Sequence, residues 1–195
     1  IAIWSVEGNQ QMLDGGAMFG NAPRTMWSQW LTPDERGRIK LACRSLLVKV
    51  TLQEQKAGHK KEQYILFETG IGAFFEPKLA ERYGVQDAQT HLLMQNLSSL
   101  GIKEEGIDMI VLSHLHFDHA GGLLAPYGTR SSGETDLLFP NATYVVSQGA
   151  WDRAMNPHLR DRASFIPNLC EKLKDSGRLR IITERSEEHT SELQS

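Results

Sequence analysis

His114-Leu115-His116-Phe117-Asp118-His119-Ala120-Gly121-Gly122 places three imidazoles and a carboxylate within six positions and follows them at once with two glycines. In a chain with 7 histidines among 195 residues, that crowding points to a metal site rather than to an ordinary polar loop. His114 and His116 are one residue apart, so in an extended segment both side chains leave on the same face and can reach one cation. Asp118 and His119 are adjacent and diverge, which suits a second cation. Imidazole and carboxylate donors without thiolate suit zinc, with iron or manganese as alternatives, and do not describe a closed cysteine site. Two such cations about 3.5–4 Å apart can hold a hydroxide between them and polarise a carbonyl or phosphoryl oxygen. The reaction class implied is metal-assisted hydrolysis.

The flanks read as a strand that delivers this loop. Ile107-Asp108-Met109-Ile110-Val111-Leu112-Ser113 is apolar and β-branched. Gly121 and Gly122 are expected to let the backbone turn tightly beside the cations. At these residues the sequence resembles the metallo-β-lactamase superfamily, whose signature is this HxHxDH loop at a strand end. The resemblance implies an α/β fold, an αββα sandwich of two similar halves, of which this chain would supply the first half and a little more. It assigns His114 and His116 to the first metal and Asp118 and His119 to the second, with two zinc ions per complete site and other divalent metals as alternatives. Asp118 would also handle a proton on the leaving group. The remaining ligands (a further His, a bridging Asp and a last His) are expected downstream. The family usually has Asp where this chain has Glu68-Thr69-Gly70, and that carboxylate braces the metal loop by hydrogen bonding rather than by binding metal. Glu68 is one methylene longer and is expected to do the same.

Within the superfamily, four stretches are similar to the quorum-quenching N-acyl-homoserine-lactone lactonases and to relatives of the methyl parathion hydrolase type. They are Leu13-Asp14-Gly15-Gly16-Ala17-Met18-Phe19-Gly20 with Pro23 and Trp27, then Glu68-Thr69-Gly70-Ile71-Gly72, then Phe139-Pro140-Asn141-Ala142, then residues 156–162. In that branch a bridging hydroxide attacks a lactone carbonyl while the metals stabilise the oxyanion. Met18, Phe19 and Trp27 are candidates for an apolar wall beside an acyl chain, with core packing as the competing reading of the same three. The rival to a lactonase is a phosphotriester hydrolase of the same fold. A thioesterase of the glyoxalase II type fits the N-terminal stretch less well, and a nuclease would need a basic stripe that the chain lacks.

The chain opens on Ile1 and closes on Arg185-Ser186-Glu187-Glu188-His189-Thr190-Ser191-Glu192-Leu193-Gln194-Ser195, which matches the translation of a short-read sequencing adapter. Residues 1–184 are therefore expected to be the N-terminal part of the domain, and 185–195 not native. Setting aside Arg185 and the three glutamates of that tail moves the net charge from −3 to −1. Near-neutral charge argues against nucleic acid or an anionic membrane as partner, and the resemblance implies a small ester or lactone as substrate. The resemblance leaves a homodimer open for the complete protein. Cys43 and Cys170 are isolated, which suits reduced thiols. No run is apolar enough for a membrane helix, and a cytoplasmic setting is expected, with a signal peptide left open by the missing start. With part of its ligands elsewhere, the 195-residue chain is expected to bind zinc weakly and to lack hydrolase activity.

The remaining pattern alternates strands and helices. Strands are expected over Ile1 to Val6, Ser45 to Leu52, Gln63 to Phe67, Ala142 to Val146 and Leu179 to Ile182, with a hairpin turn near Gly58. Helices are expected over Pro77 to Tyr83, Asp87 to Leu100, Ser147 to Met155 and Ala163 to Leu173. Leu93, Leu97 and Leu100 form the apolar stripe of the second, and Gly101 its C-terminal cap. Trp151 is expected in the core, His59 and His158 at the surface, and His91 on a helix without an evident partner.

Overall fold

The computed structural model describes residues 1–53, 60–129 and 137–183; the turn around Gly58 and His59 and the adapter-like stretch lie outside the described residues. In chain order run β1 (Ala2–Asp14), α1 (Gly15–Phe19), α2 (Arg24–Trp27), β2 (Arg38–Gln53) and β3 (Lys60–Phe67). Then come α3 (Pro77–Arg82), α4 (Leu92–Ser99), β4 (Met109–Leu112), α5 (Phe117–Ala120), β5 (Thr143–Ser147), α6 (Gln148–Met155), α7 (Leu169–Asp175) and β6 (Leu179–Ile182). The six strands form one sheet in sequence order. β1, β2 and β3 are antiparallel, whereas β4, β5 and β6 continue in parallel with β3. Helix-bearing crossovers before β4, β5 and β6 permit that change, because parallel neighbours need a long connection.

A single apolar row holds the sheet to its helices. Trp4, Leu47, Leu66, Ile110, Tyr144 and Leu179 stand opposite one another in register across all six strands. The four central members are wholly buried and join Leu93 and Leu97 of α4 in one core. On neighbouring positions Ile3, Leu46 and Phe67 are 62%, 42% and 36% exposed, which leaves a partly open apolar face of the kind a half-sandwich presents. Among the described residues no helix is long and apolar enough to cross a membrane.

Four expectations needed correction, each for a physical reason. β2 begins at Arg38 rather than at Ser45, because residues 38–44 pair with the part of β1 beyond Val6. β1 runs eight residues beyond Val6, and the cause is two buried amides that look unlike a strand. Asn9 donates to the carbonyls of Gln86, Asp87 and Thr90, and Gln11 donates to that of Tyr83. The same bonds delay α4. With those carbonyls engaged and Asp87 at φ 50°, the helix cannot begin at Asp87 and starts at Leu92. Leu100 then falls on the cap and is exposed, so the stripe is Leu93 and Leu97, with Gly101 at φ 76° beyond it. The helix expected over Ala163 to Leu173 is broken. A 3-10 turn spans Arg162–Ser164, Phe165 pairs its backbone with His116, and α7 begins only after Asn168 at φ 62°.

Candidate metal centre

β4 ends at Leu112, and the signature loop leaves it in an alternating pattern. Leu115 and Phe117 are buried while His114, His116, Asp118 and His119 are half-buried. The apolar residues thus anchor the loop and hold the four donors at its surface. α5 is a single turn, in which Ala120 N–H donates to His116 C=O at 2.9 Å. That turn carries His119 back to His114, with ring centroids 4.0 Å apart, while His114 and His116 lie 4.5 Å apart as their shared face required.

The end of β3 clasps this loop. Glu68 sits at φ 61° and sends its carboxylate across two points: Oε1 accepts from Ser113 N–H at 2.9 Å, and Oε2 lies 3.2 Å from His119 Nδ1. Thr69 adds backbone and hydroxyl bonds to His119 C=O at 2.8 and 2.9 Å. Gly122 N–H donates to Gly70 C=O at 2.9 Å. The glycines of the loop serve this clasp more than a turn. A Cβ on Gly121 would strike the Ile71 carbonyl oxygen and, at 2.6 Å, the Phe74 ring; one on Gly122 would strike the Thr69 carbonyl oxygen. Tight approach, not a left-handed backbone, is what demands them.

Burial and its two neighbouring imidazoles push His114 below the usual histidine range. The Glu68 hydrogen bond raises His119 against its burial. Burial tends to raise Glu68, but bonds from His119 and Ser113 together hold it below its ordinary value. Ser113 Oγ lies 3.0 Å from His114 Nδ1, and Asp118 Oδ2 lies 3.6 Å from His119 Nε2. Among the described residues no three His, Cys, Asp or Glu side chains converge on one point that would hold a metal ion. The donor set nonetheless fits a zinc-type cation in kind: His114 and His119 each have Nδ1 engaged, which leaves Nε2 as the ligating nitrogen.

An apolar cavity of about 520 Å³ adjoins the loop, lined among others by Phe75, Leu79, Tyr83, Phe117 and Phe165. A larger cleft of about 620 Å³ beside Asp34, Arg38, Glu81 and Gln86 contains none of the signature residues. Met18, Phe19 and Trp27 line neither. Trp27 is 2% exposed and stacks on Phe19 at 5.3 Å, whereas Met18 faces solvent. The packing reading therefore describes Trp27. Trp151 is in the core and His158 is exposed, as expected. Sequence reasoning passed over Thr69 and set His91 on the helix without a partner, whereas it lies just ahead of the helix as its cap. His91 caps α4 by accepting from Met94 N–H, and its Nε2 lies 3.0 Å from Gly122 C=O, directly behind the loop. Its position just ahead of the leucine stripe was the available signal for the cap.

Residues 52–125, which include the whole loop and its clasp, match the family described as "Metallo-beta-lactamase superfamily". That stretch belongs to the metallo-beta-lactamase superfamily. Solved structures extend the likeness over nearly the whole chain. A "probable metal-dependent hydrolase" from Staphylococcus aureus is 27% identical with a TM-score of 0.74, covering 94% of this chain and 59% of its own. AidC, a dizinc quorum-quenching lactonase solved with N-hexanoyl-L-homoserine product, shares the fold at 20% identity and TM-score 0.63, over 92% of this chain and 57% of its own. The hydrolase AbOPH of the beta lactamase superfamily does so at 20% and 0.59, over 93% and 57%. The chain thus spans somewhat under three fifths of these proteins. No curated protein matched it. The six-stranded mixed sheet with its helices is the metallo-beta-lactamase fold seen in these neighbours.

Proposed function

We propose that the complete protein is a metal-dependent hydrolase that opens a lactone ring, with N-acyl-homoserine lactones as the substrate class. The observation that carries this reading is the joining of two features in one short segment. His114, His116, Asp118 and His119 present a thiolate-free donor set, and Phe117 between them turns into the apolar cavity. A polar scissile group at the histidines and an acyl chain in the cavity describe an acylated lactone better than a small, wholly polar ester.

Each residue then has a task. His114 and His116 hold the first of two divalent ions, and Asp118 with His119 holds the second. Bound zinc supplies Lewis acidity to the scissile carbonyl and acidifies water. Glu68 fixes the His119 ring through Nδ1 and, through Ser113, the start of the loop. Asp118 also returns a proton to the departing alkoxide. Leu115 and Phe117 exclude water from beneath the donors. Among the described residues these four are the ligands the reading assigns, short of a complete dinuclear set. The 195-residue chain is expected to take zinc weakly and to hydrolyse nothing measurable.

Rates on an acyl-homoserine lactone and on an aryl phosphotriester, measured in parallel with the complete protein, test the reading. Faster turnover of the lactone is expected. Preference for the phosphotriester overturns the substrate class, and turnover of neither overturns the hydrolase.

A further inference from the structure

Beside His116 stands a carboxylate from a remote part of the chain. Asp161 Oδ2 accepts from Arg153 through Nε at 3.0 Å and Nη2 at 2.7 Å, and lies 3.8 Å from His116 Nε2. Its other oxygen, Oδ1, is buried and has no hydrogen-bond partner among the described residues. The same segment grips His116 at two more points. Phe165 forms an antiparallel bridge with the His116 backbone, and its ring meets the imidazole edge-on at 4.5 Å and 80°. The oxygen that faces the imidazole is the one Arg153 holds, Oδ2, so the guanidinium fixes the carboxylate in front of His116 Nε2.

We propose that Asp161 is a positioning residue for His116: its Oδ2, which faces Nε2 at 3.8 Å, favours the Nε2–H form and so leaves Nδ1 as the nitrogen with a lone pair to give a cation. The proposal rests on the reading of His116 as a metal ligand. Two carboxylates then divide the work: Glu68, at the end of β3, orients His119, and Asp161, from the segment between α6 and α7, orients His116. Arg153 on α6 holds Asp161 through two contacts to Oδ2, the same oxygen that faces the imidazole. The break in the helix expected over Ala163 to Leu173 is the structural condition for this, since a continuous helix could not bridge Phe165 to His116.

The test is long-range proton–nitrogen NMR of histidine in the metal-free 195-residue chain, at a pH where the imidazoles are neutral. His116 is expected mainly as the Nε2–H tautomer. Asp161→Ala should lower the Nε2–H share to that of an unconstrained histidine, which itself favours Nε2–H, while His114 and His119 keep their tautomers, and Asp161→Glu should restore the native share. A native chain with His116 mainly in the Nδ1–H form overturns the proposal, whatever the variants do. So does an unchanged His116 tautomer in Asp161→Ala or, where that variant does not fold, in Asp161→Asn. Zinc affinity should fall about 10-fold or more in Asp161→Ala. Zinc added to the native chain reads the metal assignment separately. If no histidine signal moves, the metal reading fails while the tautomer result stands.

Discussion

Two stretches of this chain carry the residue types of a small-molecule site, and the fold uses them in opposite ways. Residues 114–122 become a half-buried polar patch held from behind by Glu68, Thr69 and Gly70. Residues 13–30 become an aromatic knot in which Phe19 lies between Trp27 and Trp30, at 5.3 and 6.0 Å. Both are glycine-rich, and both glycine pairs sit against something. Around Gly121 and Gly122 the neighbour is backbone carbonyl; around Gly15 it is the Trp27 ring, 2.5 Å from where a Cβ would stand. A carbonyl in a clasp cannot yield, whereas a side chain can. The difference separates a region whose polar geometry is fixed by its neighbours from one held by apolar packing.

The sharpest way to break this contrast is Trp27→Ala. As a core residue it should cost about 3–5 kcal/mol of stability, read from a urea unfolding curve. If stability is unchanged and the complete protein instead shows a raised KM for long-chain lactones, Trp27 belongs to the substrate wall and the contrast fails. Gly122→Ala probes the other side. Its methyl meets the Thr69 carbonyl oxygen, so a loss of about 1–3 kcal/mol is expected, with the His119 resonances displaced. Gly15→Ala should destabilise by a similar mechanism yet leave the histidine resonances where they are. Displacement of those resonances by Gly15→Ala would join the two regions into one unit.

How much was legible beforehand follows the same division. The loop stood out because its spacing of His and Asp is a one-dimensional pattern, and residues 52–125 match a family model that contains it. The strand beneath it, β4, was legible from its β-branched run, and α6 from Ser147, whose hydroxyl accepts from Ala150 N–H as a cap should. Glu68 was legible from its place at a strand end, and its two bonds fall on the loop. Asn9 and Gln11 were misleading: polar side chains inside a strand look like its end, and only the fold shows that their partners lie about 70–80 positions away. His91 and Asp161 were invisible for a related reason. Neither has a sequence neighbour that reveals its task, and each meets the loop across a long loop closure.

His91 also offers the gentlest test of the contrast, because it touches the loop from the packed side. It is 7% exposed, its Nδ1 accepts from Met94 N–H at 3.4 Å, and its Nε2 lies 3.0 Å from Gly122 C=O. The neutral ring with hydrogen on Nε2 satisfies both contacts, and a second proton on Nδ1 would oppose the Met94 N–H. Burial therefore holds His91 below the ordinary 6.5, against the opposing pull of the Gly122 carbonyl. In the unfolded chain the ring takes up its proton as pH falls through 6.5, while the folded chain resists until its lower value is reached. Its contribution to stability is thus full above 6.5 and declines as pH falls from there toward the folded value. His119, whose value is raised, works in the opposite direction, so the native curve alone does not isolate His91. The difference from His91→Asn does, since Asn keeps an acceptor for the cap but has no proton to gain. Urea midpoints at about pH 7.5 and about pH 5.5 should drop more in the native chain than in the variant. Equal drops would mean that His91 is not held neutral behind the loop, and that the clasp around Gly122 depends on the Glu68 side alone.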